Sequence, residues 1–345
     1  DVYKRQLPYH FPMRIEDFDY ELPEAAIAQV PVEPRDASRL LVVGESLVDT
    51  TFARLVDFLE PGDLLVRNAT RVRAARLTGV RPTGGAVELL LLGRARDEWE
   101  ALARPARKLR VGMVLDLGRL SAEVRAIETE GRITVLLTPV EDGQSIDDVI
   151  AAAGTVPYPP YITTGPPDPG RYQTVYASTI GSAAAPTAGL HFTDELIAAV
   201  RATGVEFADV LLDIGLDTFR PITAPEIDDH EMHEERYEIP PASADAIAET
   251  RRQGGRVVAI GTTVVRALES AAAGGSLQAG SASTDLFIRP GYRVRAVDAL
   301  LTNFHMPRSS LIVMLAALLP DWRRVYAHAL AGGYRFLSFG DAMFV

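Results

Sequence analysis

The chain has no cysteine among its 345 residues. That excludes disulfide staples, thiolate nucleophiles, Fe–S clusters and Cys-ligated zinc, and it fits a reducing cytoplasm. Lysine is nearly missing: Lys4 and Lys108 are the only two, which leaves Schiff-base chemistry one credible candidate. Long apolar runs are missing as well. The longest, Leu311–Leu319, is nine residues, against the ~18 or more that cross a bilayer, so no membrane partner is expected. Residues 1–12 lack the apolar core of a signal peptide and precede Met13; they read as a non-native or disordered leader. What is present is ordinary for a globular protein, 47% hydrophobic and 23% charged, which excludes disorder and collagen. At about 150 residues per domain, the length suits two domains or one with an insertion.

Net charge is −11, which argues against indiscriminate coating of nucleic acid. The charge is unevenly spread. From Arg67 to Arg110 there are eleven basic residues and four acidic ones, a local +7 that leaves −18 for the remainder. Such asymmetry marks either a polyanion-binding face, with Arg104, Arg107, Lys108 and Arg110 as its densest part, or a merely solvated set of Arg-rich strands.

Residues 13–60 read as a lead-in, with a short helix around Glu24–Gln29 and a strand at Leu40–Val43. From Asp63 to about Val140 short apolar runs alternate with turn residues: Leu64–Val66, Val87–Leu92, Val111–Leu117 and Ile133–Leu137. That spacing predicts a small all-β barrel or sandwich. After the Pro-rich connector Val156–Tyr161 the texture becomes α/β. Thr193 is placed as an N-cap, Val205–Ile214 as a strand, Ser243 as the cap of a helix ending at Gly254, Arg256–Ile260 as a strand and Gly261-Thr262-Thr263 as the start of another helix. Helices alternating with wholly apolar strands imply a mainly parallel sheet covered on both faces, with binding sites at the carboxyl ends of strands.

Four segments carry polar groups that a purely structural chain does not need. Ala185–Phe192 is a small-residue loop ahead of a helix, suited to close approach of a ligand to backbone, although a tight turn with a satisfied histidine explains it too. Gly261-Thr262-Thr263 is a strand-to-helix turn whose free N–H groups suit an anion such as a carboxylate. Asp229–Glu235 places His230 and His233 three apart. On a helix these share a face, for acid/base work or, with a third ligand, for a metal. Leu301–Pro307, with Asn303 and His305, is a polar loop before a helix capped near Ser309, and there a buried Asn or His equally well satisfies backbone groups.

At these four segments the sequence resembles the S-adenosylmethionine:tRNA ribosyltransferase-isomerase family of queuosine biosynthesis. The likeness runs over about residues 13–345. It includes Asp17-Phe18, Arg35–Leu41, Pro61–Val66 with Asn68, Thr70 and Arg71, Pro159–Ile162, Tyr172–Tyr176 and Ala184–Phe192. It continues through Thr218-Phe219, His230, Met232, His233, Glu235, Gly261–Thr263, Val265-Arg266, Leu268–Ser270, Val297–Leu300, Thr302–His305, Tyr334–Phe336 and Gly340–Met343. Three positions depart from the pattern. Asp213 stands where a histidine is usual, Asp217 where a glycine or small residue is usual, and Tyr158 where a leucine is usual; the last reads as harmless repacking.

The resemblance implies an α/β fold, a layered catalytic domain of residues 1–60 and 152–345 with a small β-barrel domain inserted at 61–151. It implies transfer and isomerisation of the ribosyl part of S-adenosylmethionine onto 7-aminomethyl-7-deazaguanine at the tRNA wobble position. The product would be epoxyqueuosine-tRNA, with adenine and methionine released. S-adenosylmethionine would be a co-substrate, tRNA the partner, the protein a cytoplasmic monomer, and no metal is expected. Carried onto this chain, His191, His230, His233, Glu235 and His305 are the catalytic candidates, with Asp341 next in line. Thr187, Gly189, Gly261, Thr262, Thr263, Arg266 and Asn303 are the cofactor-binding candidates. Two rival readings stay open: a non-catalytic tRNA-binding module using the basic segment, and a metal-dependent hydrolase built on His230, His233 and Glu235.

Overall fold

The computed structural model describes residues 13–213 and 221–345, except for the Glu130 side chain. Strand β1 (Arg39–Val43) folds back on β2 (Leu47–Thr51), and β3 (Leu64–Asn68) leads into the short β4 (Thr70–Arg71). Six strands follow: β5 (Arg76–Val80), β6 (Ala86–Ala95), β7 (Glu98–Arg104), β8 (Val114–Asp116), β9 (Leu120–Ile127) and β10 (Arg132–Pro139). They close into a barrel in the order β10-β7-β6-β5-β8-β9. Inward residues at every second position, such as Leu89, Leu91, Trp99, Ala101, Val124, Ile133 and Val135, fill its interior.

After helix α1 (Ile146–Ala153) and β11 (Thr179–Ile180), which pairs with β4, come α2 (Asp194–Ala202), β12 (Glu206–Asp213), β13 (Glu235–Ile239), α3 (Pro241–Gln253), β14 (Val257–Ile260), α4 (Thr262–Ala271) and β15 (Gly280–Thr284). The chain ends with β16 (Ala299–Asn303), α5 (Ser310–Leu318), α6 (Trp322–Ala331) and β17 (Ala342–Phe344). Nine strands form one sheet, in the order β15-β13-β12-β3-β14-β16-β17-β1-β2. Its centre, β12-β3-β14-β16, is parallel, as the alternation of helices and apolar strands predicts, while most of the pairings toward the two edges are antiparallel. The central strands are apolar throughout because both faces are covered. Leu64, Val66, Val257 and Ala259 meet α4 residues Val264 and Leu268 on one side, whereas Leu65, Val258 and Ile260 meet Phe192, Leu196 and Val200 on the other.

Leu64–Val66, expected among the barrel strands, lies instead at the middle of the large sheet, between β12 and β14. A short apolar run carries no information about which sheet it joins, and the barrel strands start only at Arg76. Ser243 is not an N-cap: α3 already starts at Pro241, and the Ser243 hydroxyl donates to the Asp209 carbonyl at 2.6 Å. Thr193 and Ser309 do cap α2 and α5, accepting from the amides of Leu196 at 3.1 Å and Ile312 at 3.3 Å. Among the described residues no helix is long and apolar enough to cross a membrane.

Candidate active site

The carboxyl ends of β14 and β16 build the site. In register, Ile260 lies beside Leu301, and the Gly261 amide donates to the Leu301 carbonyl at 2.8 Å, which brings the turn Gly261–Thr263 next to Asn303. Gly261 has φ +97, a conformation that L side chains rarely adopt, and it lets the chain turn directly into α4. The 3-10 turn Thr187–His191 packs across from it. Together these walls line a cleft that includes Tyr161, Pro186, Thr187, Gly261, Thr262, Thr263, Asn303, His305, Met306 and Ser338. A second, wider cleft of about 350 Å³ adjoins it, bordered by His230, Glu231, Met232, His233, Glu235, Arg266, Phe287 and Met314. Thr263 and Leu311 line both, so the two clefts share a wall.

The histidines occupy different settings. His191 is buried: Nδ1 lies 2.7 Å from Ser38 Oγ, Nε2 lies 3.1 Å from Asn303 Nδ2, and the ring stacks on Phe52 at 4.9 Å. Burial above all, with Arg335, Arg171 and Arg35 adding to it, pushes its pKa down to about 3. It stands behind Asn303 and does not line either of the two clefts. His305 does line the first cleft. Its Nε2 is 3.1 Å from Thr302 Oγ1, its amide donates to the Tyr326 hydroxyl at 2.8 Å, and burial holds its pKa down to about 3.

His230 and His233 are not on a helix. A single 3-10 turn, Ile227–Asp229, precedes an irregular stretch that runs to Glu235 at the start of β13, because Glu235 is already paired in the sheet. His230 is half-buried with its ring 5.4 Å from Phe287, and burial followed by the neighbouring His233 lowers its pKa. His233 is exposed at the second cleft. Among the described residues no group of three or more His, Asp or Glu is gathered as metal ligands usually are.

Glu235 and Arg266 form a buried ion pair at 2.5 Å. Arg266 also donates to the carbonyls of His233 at 3.2 Å, Thr284 at 3.3 Å and Leu286 at 3.0 Å. With its fork so occupied, Arg266 ties α4 to β13 and β15 and orients the segment that carries His233. Asp341 is likewise engaged, accepting from the amides of Arg39 at 3.0 Å and Arg335 at 2.8 Å. Gly189 stays out of the cleft: a Cβ there would collide with the Tyr176 hydroxyl and crowd Thr174 at 2.9 Å, so its small size serves packing.

A model of the queuosine biosynthesis protein family matches residues 15–345. The chain belongs to this family. Among its relatives, the S-adenosylmethionine:tRNA ribosyltransferase-isomerase of Moorella thermoacetica is 50% identical over 343 residues, covering 96% of this chain and 100% of the relative. The same-named protein of an Anaeromyxobacter species (strain Fw109-5) is 49% identical over 341 residues, covering 96% and 98%. A solved structure, S-adenosylmethionine tRNA ribosyltransferase from Thermotoga maritima, is 36% identical and covers 95% of this chain and 99% of that one, with a TM-score of 0.56.

Within this family fold, the four basic residues of the barrel, Arg104 at the end of β7 and Arg107, Lys108 and Arg110 on the turn that follows, are all exposed, and none has an ion-pair partner among the described residues. Other arginines of the +7 segment do not contribute to one face. Arg67 is buried, pairs with Asp209 at 2.6 Å and lies over the Tyr176 ring at 4.2 Å, while Arg76 and Arg94 have acidic neighbours. Asp213 ends β12 opposite Arg236, and burial raises its pKa against Arg73 and Arg236. Tyr158 packs edge-on against Tyr172 at 5.2 Å. Thr218-Phe219 and Asp217 lie outside the described residues. Sequence reading marked the stretches that hold Ser38, Tyr161 and Met306 without naming these residues, and it missed Leu311 and Ser338, which only the fold brings to the site.

Proposed function

We propose that this protein transfers and isomerises the ribosyl group of S-adenosylmethionine onto 7-aminomethyl-7-deazaguanine at the tRNA wobble position, giving epoxyqueuosine-tRNA, adenine and methionine. One observation carries this reading at the site: two clefts of different character lie side by side, with Thr263 and Leu311 lining both. The first, bordered by small residues and by the N-terminus of α4, suits the sulfonium substrate, with its carboxylate at the Thr262 and Thr263 amides. The second, bordered by Glu231, His230 and Phe287, suits a flat base with an aminomethyl cation.

The chemistry needs a base near C5′, where the sulfonium acidifies the hydrogens, a proton donor for departing adenine, and a base for the tRNA ammonium. In the first cleft His305 stands neutral, with Thr187 and Thr263 beside it. At the second, His230, kept neutral by partial burial, and His233 are positioned to take the proton of the amine. Glu235 acts through Arg266 to hold that segment, and His191 acts through Asn303. The exposed barrel turn at Arg104–Arg110 contacts tRNA phosphates. One chain holds both clefts, consistent with a monomer working in the cytoplasm.

The test incubates the protein with S-adenosylmethionine and tRNA bearing the 7-aminomethyl-7-deazaguanine base, then measures nucleoside masses and free adenine. The reading expects the epoxyqueuosine mass with one adenine per modified tRNA. Bound tRNA with no adenine released makes the protein a binding module instead.

A further inference from the structure

The arrangement behind the first cleft is more specific than its lining requires. Asn303 is 4% exposed. Its Nδ2 faces the Asp341 carbonyl at 3.4 Å, an atom that only accepts, so the amide nitrogen lies on that side. The second Nδ2 hydrogen then goes to His191 Nε2 at 3.1 Å. This makes Nε2 the acceptor and places the ring proton on Nδ1, where it donates to Ser38 Oγ at 2.7 Å. Stacking on Phe52 fixes the plane of the ring. The whole chain, Ser38 to His191 to Asn303, forces one orientation on the amide, and that orientation leaves Asn303 Oδ1 buried with no donor among the described residues. A buried acceptor without a partner is costly, and it is retained where a ligand supplies the donor.

We propose that Asn303 Oδ1 accepts a hydrogen bond from the α-ammonium of the amino-acid end of the sulfonium substrate, and that Ser38 and His191 are positioning residues that keep this oxygen turned toward it. The inference rests on the reading of the first cleft as the S-adenosylmethionine site. The choice of donor follows from the register. Asn303 is two residues past Leu301, the partner of Ile260, so it lies about one strand spacing, ~4.8 Å, from the Gly261 turn. The amides there suit the carboxylate, and the ammonium is bonded to the same carbon. Ribose hydroxyls and the adenine amino group are several bonds farther along the substrate.

The experiment titrates S-adenosylmethionine, and its deaminated analogue with hydrogen in place of the ammonium, into the intact protein and its variants. The native protein is expected to prefer the aminated ligand by about tenfold or more, the usual size of a charge-assisted hydrogen bond. Asn303→Leu reduces that ratio to near one. Asn303→Asp keeps it, because the Ser38 hydroxyl donates to Nδ1 once Nε2 carries the proton. Ser38→Ala and His191→Phe lower the ratio several-fold, a discrimination that a merely structural loss leaves unchanged since both ligands share every other group. Equal affinity of the native protein for the two ligands overturns the inference while leaving the cofactor site in place, and so does a full preference retained in Ser38→Ala and Asn303→Leu. No binding of either ligand to the native protein overturns the reading of the cleft itself.

Discussion

Four residues show how differently a glycine or histidine serves this site. Gly261 has room for a Cβ, whose nearest neighbours would be 3.9 Å away, yet its φ of +97 excludes one at low cost. Gly189 is the opposite, since its space is filled by the Tyr176 hydroxyl and Thr174. Gly189→Ala is therefore expected to destabilise by about 1–3 kcal/mol through overpacking, with S-adenosylmethionine affinity close to native. Chemical denaturation and ligand titration on one sample separate the two effects, and a weakened affinity at native stability would put Gly189 against the ligand. His191 and His305 supply a pH dependence. Both fold with pKa values of about 3, below the unfolded value of ~6.5. The unfolded chain therefore binds the protons first as pH falls. The stability these groups contribute is complete above pH ~6.5 and is lost between there and about 3, at up to about 1.4 kcal/mol per pH unit for each histidine. Thermal unfolding across pH 4–8 checks it: His305→Gln is expected to unfold with a shallower acid dependence than the native protein, and an unchanged slope would mean that His305 is not held neutral.

At the scale of elements, the buried Glu235–Arg266 pair joins α4 to the antiparallel edge β13-β15. Arg266→Met leaves a carboxylate buried without its partner and is expected to cost about 3–5 kcal/mol, much of it recovered in the double variant Arg266→Met with Glu235→Leu. Denaturant midpoints of the two single variants and the double form the cycle, and a fully additive result would show that the two groups do not couple. The exposed turn after β7 works in another way. Replacing Arg104, Arg107 and Arg110 by Ala is expected to weaken tRNA binding and to flatten its salt dependence by roughly 0.7–0.9 in log–log slope for each phosphate no longer neutralised. S-adenosylmethionine affinity stays within twofold. A native salt slope in the triple variant moves the footprint to another face.

For the molecule as a whole, the proposed reaction would bring groups from the two adjoining clefts together. Leu311, on α5, lines both. Leu311→Trp is expected to crowd the boundary between the clefts and lower turnover ~10-fold or more, while tRNA affinity stays near native. Single-turnover rates measured beside tRNA titration test this, and native turnover would mean that the ribosyl group does not pass this point.

Much of this protein was decided within local stretches of sequence. Thr193 and Ser309 cap their helices because a hydroxyl next to free amides needs only three neighbouring residues. The apolar strands Val257–Ile260 and Leu300–Leu301 announce a sheet covered on both faces, and Gly261 announces a turn that only glycine makes easily. The motif at Thr302–His305 likewise marks the carboxyl end of a strand as the place to look. Other features exist only once the chain is folded. Leu64–Asn68 pairs with strands that lie some 140 and 190 residues later, and no short-range pattern says which sheet a buried strand joins. His230 and His233 lose their helix because Glu235 belongs, in three dimensions, to β13 and to Arg266. Ser38 is marked only as part of the Arg35–Leu41 stretch, yet its hydroxyl meets His191 Nδ1 at 2.7 Å from 153 residues away. Local propensity acts between groups a few residues apart, whereas the tautomer of a buried histidine and the facing of a buried amide depend on atoms that only tertiary packing brings within about 3 Å of each other.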